Sequence, residues 1–181
     1  MKNYRTKKFL RWGILLLIVF VLIVFSRYWW KEKRWRFIVV HHTASDIGNL
    51  EYYRRIHQQE RGWDDIAYHF VINNGSFQTV PGQIEESNLW KERKGGYSTS
   101  NYWINTFAIA VVIVGNLNHH PPLPQQYESL INLLAQLSKQ YNIPPERIVG
   151  HREIQNTECP GKYLNMAKVR LDVKRKLNIK N

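Results

Sequence analysis

Ala108-Ile109-Ala110-Val111-Val112-Ile113-Val114 is apolar at every position. A strand with one face in water alternates apolar and polar side chains, so an unbroken run implies cover on both faces. This run therefore reads as the centre of a sheet lying between helices. Working outward, Arg36-Phe37-Ile38-Val39-Val40-His41-His42-Thr43 is a second short, β-branched strand that ends in polar residues. Residues 67–73 (AYHFVIN) read as a third strand, and Asn74-Gly75 is a hairpin signal leading into residues 76–80. Residues 147–150 make a short strand running to His151. Between the strands, residues 49–61 predict a helix stopped by Gly62. Pro121, Pro122 and Pro124 lead into another helix, with an apolar stripe of Tyr127, Leu130, Ile131, Leu134, Leu137 and Tyr141 before Pro144-Pro145 ends it. A closing helix over 162–177 buries Met166, Val169, Val173 and Leu177. Residues 82–105, polar and glycine-containing, predict a long loop bordering a substrate groove. The expected fold class is α/β: one domain with a mixed central sheet flanked by helices, preceded by one N-terminal transmembrane helix.

That preceding helix is read from Trp12 to Phe25, WGILLLIVFVLIVF, which carries no charge. With Phe9-Leu10 and the interfacial Tyr28, Trp29 and Trp30 the stretch reaches about twenty residues, enough to cross roughly 30 Å of hydrocarbon. A cleaved signal peptide shares the basic start and apolar core. No small-x-small cleavage pattern follows, because Phe25-Ser26-Arg27-Tyr28-Trp29 is bulky, so an uncleaved anchor is expected. The expected division is a basic cytoplasmic segment and anchor over 1–30, a basic juxtamembrane linker over 31–36, and a globular domain over 37–181.

Charge supports the division. The chain has a formal net charge of +12, yet ten of its 26 Lys and Arg residues flank the apolar run, from Lys2 to Arg11 and from Arg27 to Arg36. Six more, Lys168 to Lys180, sit in the last segment against Asp172 alone. Residues 37–167 hold 10 basic and 12 acidic side chains. Basicity confined to the ends suits an anionic membrane surface, and no nucleic-acid partner is expected. Five bases on each side of the apolar run give the positive-inside rule nothing to choose between.

The single cysteine, Cys159, excludes an intramolecular disulfide. It lies eight residues past His151, which closes one strand as His41-His42 closes another. Two imidazoles and a thiolate suit Zn²⁺, and three protein ligands leave the open position of a catalytic site. Adjacent strand residues point to opposite faces, so His41 and His42 do not both reach one ion. Periodicity leaves open which does. The same alternation sets Tyr68 against His69: if one faces the site, the other faces the core.

Four runs carry a resemblance. Ile38-Val-Val-His-His-Thr-Ala44, Gly62-Trp-Asp-Asp-Ile-Ala-Tyr-His-Phe-Val-Ile72, Ile109-Ala-Val-Val-Ile-Val-Gly-Asn116 and Val149-Gly-His-Arg-Glu-Ile-Gln-Asn-Thr-Glu-Cys-Pro-Gly161 resemble the type 2 N-acetylmuramoyl-L-alanine amidase family. That family includes phage amidase lysozymes and animal peptidoglycan recognition proteins, and the runs occur in its order. The resemblance implies that His41, His151 and Cys159 bind one Zn²⁺, that Tyr68 assists catalysis beside it, and that Thr157 holds the position where catalytic members carry Lys or Thr. His42, His57, His69, His119 and His120 are left as structural or surface residues, and Arg152 and Glu153 as braces of the motif loop. The implied reaction is zinc-dependent hydrolysis of the amide between the lactyl group of N-acetylmuramic acid and L-alanine. Peptidoglycan or muropeptides would be the substrate, for a monomeric catalytic domain on the extracytoplasmic side of the cytoplasmic membrane.

This sequence departs from the family in two places. Ala110 stands where glycine is usual. The loop Lys94-Gly-Gly-Tyr-Ser-Thr-Ser-Asn-Tyr-Trp103 lacks the substrate-contacting histidine of many relatives, leaving Tyr97, Tyr102 or Trp103 as candidates for a sugar-stacking face. The alternative function is a non-hydrolytic, membrane-anchored peptidoglycan receptor. Receptors of this kind commonly lack the cysteine, and Cys159 favours the enzyme. An inward-facing enzyme that recycles imported muropeptides is the other rival.

Overall fold

The structure is a computed structural model that describes residues 2–178. The side chains of Lys2, Arg5, Lys7 and Lys8, and residue Lys180, which belong to the expected basic ends, lie outside the described residues. The chain divides into two compact units, residues 1–34 and 35–181. The first is α1 (Lys2–Lys33), within which Arg11–Lys33 is long and apolar enough to cross a membrane, a test that a signal sequence also passes.

The second unit is a five-stranded sheet with helices on both faces. Its strands are β1 (Phe37–His42), β2 (Phe70–Ile72), β3 (Ile84–Glu86), β4 (Ala108–Ile113) and β5 (Ile148–Gly150), in spatial order β3-β2-β4-β1-β5. β4 is central, as its sequence requires, and pairs in parallel with β1 and β2. β5 is parallel to β1, and only edge strand β3 runs antiparallel. One face packs Ile38, Val40, Ile109, Val111 and Ile113 against α5 (Pro124–Tyr141) and α6 (Met166–Asn178). The other packs Val71, Val112 and Val114 against Leu50 and Tyr53 of α2 (Leu50–Arg61).

The helices stop where local chemistry dictates. Asn49 caps α2 by accepting the Tyr52 N–H, and Gly62 ends it in the left-handed region at φ 66°. Pro124 opens α5 at a position where a missing N–H costs nothing. Leu130, Ile131, Leu134 and Leu137 of its predicted stripe are buried, with Tyr127 and Tyr141 packed at the margin. α6 starts at Met166, four residues later than the sequence suggests.

Two expectations need correction. Residues 76–80 do not form the return strand after Asn74-Gly75. Asn74 instead bonds the Asp46 carbonyl and Ser76 bonds Gly48, which spends the turn on the neighbouring loop. The return strand is β3, entered after Gly82 N–H donates to the Asn73 carbonyl. Nor is 82–105 a plain loop, because it also holds α3 (Asn88–Lys91) and α4 (Tyr102–Phe107), capped by Ser87 and Asn101.

Candidate active site

Parallel strands carry their polar ends to one pole of the sheet, and the candidate ligands gather there. His41 pairs in register with Val112, on the face that packs against α2. His42 shares the parity of Ile38 and Val40 and points the other way, where its Nδ1 accepts the Leu117 N–H at 3.1 Å. Burial holds the His42 imidazole neutral, with its pKa lowered to about 4. His41 is thus the member of the pair that faces the site.

His41, His151 and Cys159 each place one ligating atom within 4.8 Å of the others. His41 is 1% exposed, its Nδ1 lies 3.6 Å from Cys159 Sγ, and its ring centre lies 4.7 Å from that of His151. Its Nε2 is buried without a hydrogen-bond partner among the described residues. Burial, then the neighbouring His151, pushes its pKa well below the ordinary imidazole value, so it is a neutral ligand-type ring. Burial also pushes the Cys159 thiol up to about 11, opposed by the His42 N–H and Arg152. These are the groups that a cation would reorganise. Tetrahedral zinc with Zn–S near 2.3 Å and Zn–N near 2.05 Å sets its S···N edge at about 3.6 Å, the separation found between Cys159 and His41. The residues fit the metal that the donor set implies.

The surrounding contacts orient these groups. Gln155 Oε1 lies 3.2 Å from His151 Nε2 and also accepts the Ser100 N–H and hydroxyl, each at 3.0 Å. A proton on Nε2 toward Gln155 leaves Nδ1 with a lone pair, the usual way an outer partner fixes a ligand's tautomer. Cys159 Sγ accepts the His42 backbone N–H at 3.4 Å, and the Cys159 carbonyl accepts the Arg152 N–H at 2.7 Å. Arg152 Nη2 also donates to the Gly161 carbonyl, and Glu153 binds the Gly150 N–H and Arg170. Arg152 and Glu153 are braces, as expected. Gly161 sits at φ 95°, where an added Cβ would lie 2.4 Å from the Leu117 carbonyl carbon, so only glycine lets the two loops meet.

Tyr68 stands beside the ligands, its ring centre 5.1 Å from that of His41. Burial first, and then Cys159, raises its pKa, so the hydroxyl keeps its proton at neutral pH. Thr157 Oγ1 accepts the Cys159 N–H at 3.3 Å, which leaves its own proton to donate. His69 points into the core, bonded through both nitrogens to Ala110 N and Lys94 O. A groove of about 320 Å³ runs from Thr43 and Tyr68 along α2 to Trp63 and Tyr97. Sequence reasoning passed over His57 in its wall. There His57 Nδ1 accepts the Ala67 N–H at 3.0 Å, so Nε2 carries the proton. Tyr97 stacks on Trp63 with ring centres 5.3 Å apart, in the loop that lacks the family's histidine. Tyr102 and Trp103 are not in the groove lining, because α4 packs at the start of β1, where Trp103 meets Phe37.

One pole of the mixed sheet thus brings together a His-His-Cys cluster that could hold a metal ion, a protonated tyrosine and a groove. Over residues 31–162 the chain matches the N-acetylmuramoyl-L-alanine amidase family, and it belongs to that family. Bovine peptidoglycan recognition protein 1 is 30% identical over 141 residues, covering 71% of this chain and 68% of that protein. The solved N-acetylmuramoyl-L-alanine amidase LysC from Clostridium intestinale is 31% identical, covers 82% of this chain and 88% of its own, and superposes with a TM-score of 0.61. A Drosophila PGRP-LB variant solved with tracheal cytotoxin is 25% identical, with 74% and 78% coverage and a TM-score of 0.57.

Proposed function

We propose that the chain is a zinc-dependent N-acetylmuramoyl-L-alanine amidase that cleaves the bond between the lactyl group of N-acetylmuramic acid and L-alanine. The observation that carries the reading is the His41–His151–Cys159 cluster, whose S···N separation of 3.6 Å suits tetrahedral zinc, beside a protonated Tyr68. Metal bound there would supply Lewis acidity toward the scissile carbonyl and a nucleophilic water near neutral pH. Tyr68 donates its hydroxyl proton in a hydrogen bond to the carbonyl oxygen as negative charge develops on it. Thr157 adds a second donor, aimed by its contact with the Cys159 N–H. Gln155 holds His151 in the tautomer that presents Nδ1. The groove along α2 takes the stem peptide, consistent with a relative solved with tracheal cytotoxin. Residues 1–30 form the anchor segment, 31–36 a basic linker and 37–181 the catalytic domain, held on the extracytoplasmic side, where peptidoglycan lies.

The test uses the full chain in detergent, incubated with muropeptides, before and after chelation, beside Cys159→Ala. Release of L-alanine-headed peptides that chelation abolishes, zinc restores and Cys159→Ala lacks is the expected result. Several relatives carry recognition in their names, so the other outcome has a definite meaning. Muropeptide binding by zinc-loaded protein without any cleavage would overturn the enzyme reading and establish a receptor.

A further inference from the structure

The pole of the sheet opposite the ligands carries an aromatic surface for which the proposed reaction has no use. Register pairs Phe37 with Ala108 and Ile38 with Ile148, so β1, β4 and β5 begin together at this pole. His41 lies four strand positions beyond Phe37, about 13 Å away. Tyr102 and Trp103, which lead into β4 through α4, are 83% and 55% exposed. Trp103 packs edge-on against Phe37 at 6.2 Å and lies tilted against Phe107 at 4.5 Å. Arg147, at the entry to β5, sets its guanidinium 5.6 Å from the Phe37 ring centre, and Arg36 is exposed beside it in sequence. Trp and Tyr rings with arginines are the side chains that suit the headgroup layer of a bilayer, where one edge is apolar and the other wet.

Chain length says which surface this patch meets. The apolar segment Arg11–Lys33 ends four residues before Phe37, a link of at most about 14 Å even when fully extended. If that segment spans a membrane, the base of the sheet is tethered at the headgroup layer. Charge agrees along the sequence: Lys31 and Lys33 precede the base, and Arg36 and Arg147 belong to it, against Glu32 and Glu146. We propose that Phe37, Tyr102, Trp103 and Phe107, framed by Arg36 and Arg147, dock the domain base-down on an anionic bilayer, directing the ligand pole and its groove away from the membrane toward the wall. The proposal rests on the anchor reading of Arg11–Lys33 and is independent of turnover.

The full chain, reconstituted in phosphatidylcholine–phosphatidylglycerol vesicles, tests it by quenching from lipids brominated near the headgroup. Seven tryptophans emit, so the difference between wild type and Trp103→Phe isolates Trp103, and the phenylalanine keeps the cluster packed. Brominated lipid should cut that component by about twofold or more, as expected for an interfacial ring. The double variant Arg36→Glu/Arg147→Glu should restore it in anionic vesicles. Vesicles that carry the protein but leave Trp103 unquenched would overturn the docking surface alone. A chain that does not float with vesicles would overturn both docking and anchor. A Trp103 component that responds to soluble glycan, or to protein density in the vesicle, and not to bromine would assign the patch to sugar or to a second copy and would also overturn it.

Discussion

His69→Phe should destabilise the domain by about 2–4 kcal/mol while leaving the metal site intact. His69 is fully buried, with Nδ1 accepting the Ala110 N–H at 2.8 Å and Nε2 donating to the Lys94 carbonyl at 2.9 Å. Its ring meets Trp35 and Trp90 edge-on, at 5.1 and 6.0 Å. Phenylalanine keeps the volume and those ring contacts, so the cost isolates the two hydrogen bonds. The Ala110 N–H, inside the central strand, is stranded out of reach of water, at about 1–3 kcal/mol. Lys94 is an exposed residue whose carbonyl can turn to solvent, so losing that bond costs about 0.5–1.5 kcal/mol. The backbone ladder is untouched, since His69 N–H to Ala110 O and Ser87 N–H to His69 O need no side chain. Urea unfolding of full-length protein in detergent should show a lower midpoint with an unchanged slope, and melting lower by about 5–15 °C. Amide exchange should quicken first around Lys94–Tyr97, and zinc stoichiometry should stay at the wild-type value. A loss below about 1 kcal/mol, or loss of metal at unchanged stability, would refute the assignment of His69 as the tie between loop and sheet.

Other residues give shorter tests. Tyr68→Phe should retain zinc and lose turnover by about 10²–10³, read as kcat with metal content measured in parallel; full activity would remove the hydroxyl from the reaction. Gln155→Ala frees His151 and Ser100 together, and a chelator competition titration should show metal held about 10–100-fold more weakly, with secondary structure unchanged. The Asp46–His120 contact should give a small, salt-sensitive pH dependence. Hydrogen bonds from the Asn116 N–H and His120 lower the Asp46 pKa, so its contribution is present above the ordinary 3.8 and lost as pH falls through the folded value. Bonds to the Pro121 carbonyl and Asp46 raise that of His120, so its contribution is complete below 6.5 and lost as pH rises through the folded value. Both groups lie near the surface, so the melting temperature should drop only slightly above neutrality at low salt, and Asp46→Asn should reduce the drop, leaving the part that the Pro121 carbonyl supplies.

Much of the architecture was legible because it rests on side-chain pattern. An unbroken apolar run has only one comfortable place in a sheet, and Ala108–Ile113 takes it. Asn49 and Gly62 announced both ends of α2 through chemistry that acts within one turn. Alternation established that one of His41 and His42 faces the site, but not which. That choice depends on which face α2 covers, a tertiary fact carried by the pairing of His41 with Val112. β3 escaped because Ile84-Glu85-Glu86 has no pattern of its own; pairing with β2 makes it a strand. α3 and α4 were signalled by Ser87 and Asn101, read as loop residues because the helices that follow are too short to show a period. Gln155 and His57 differ again. Each acts through a partner distant in sequence or across a turn, Ser100 for one and Ala67 for the other, and no local spacing marks them.

The candidate ligands are held by backbone contacts that do not depend on a metal. His41 lies in a strand paired on both sides, and His151 follows β5 directly. The Cys159 loop is the part that could wander, and it is tied at several points. The Arg152 N–H reaches the Cys159 carbonyl, the Tyr163 N–H reaches the Leu117 carbonyl, and Asn118 bonds both Glu158 and the Lys162 N–H. Leu117 in turn gives its N–H to His42, the neighbour of the first ligand. The loop carrying the thiol is thereby fastened to the loop after β4, and that loop to the strand that carries His41. A site organised in this way would leave metal binding free to serve chemistry and not folding, as the proposed hydrolytic centre requires. It also explains why His42, with no place among the ligands, belongs beside His41. Its side chain anchors Leu117, its backbone N–H reaches Cys159 Sγ, and the next residue back supplies an imidazole to the same thiol.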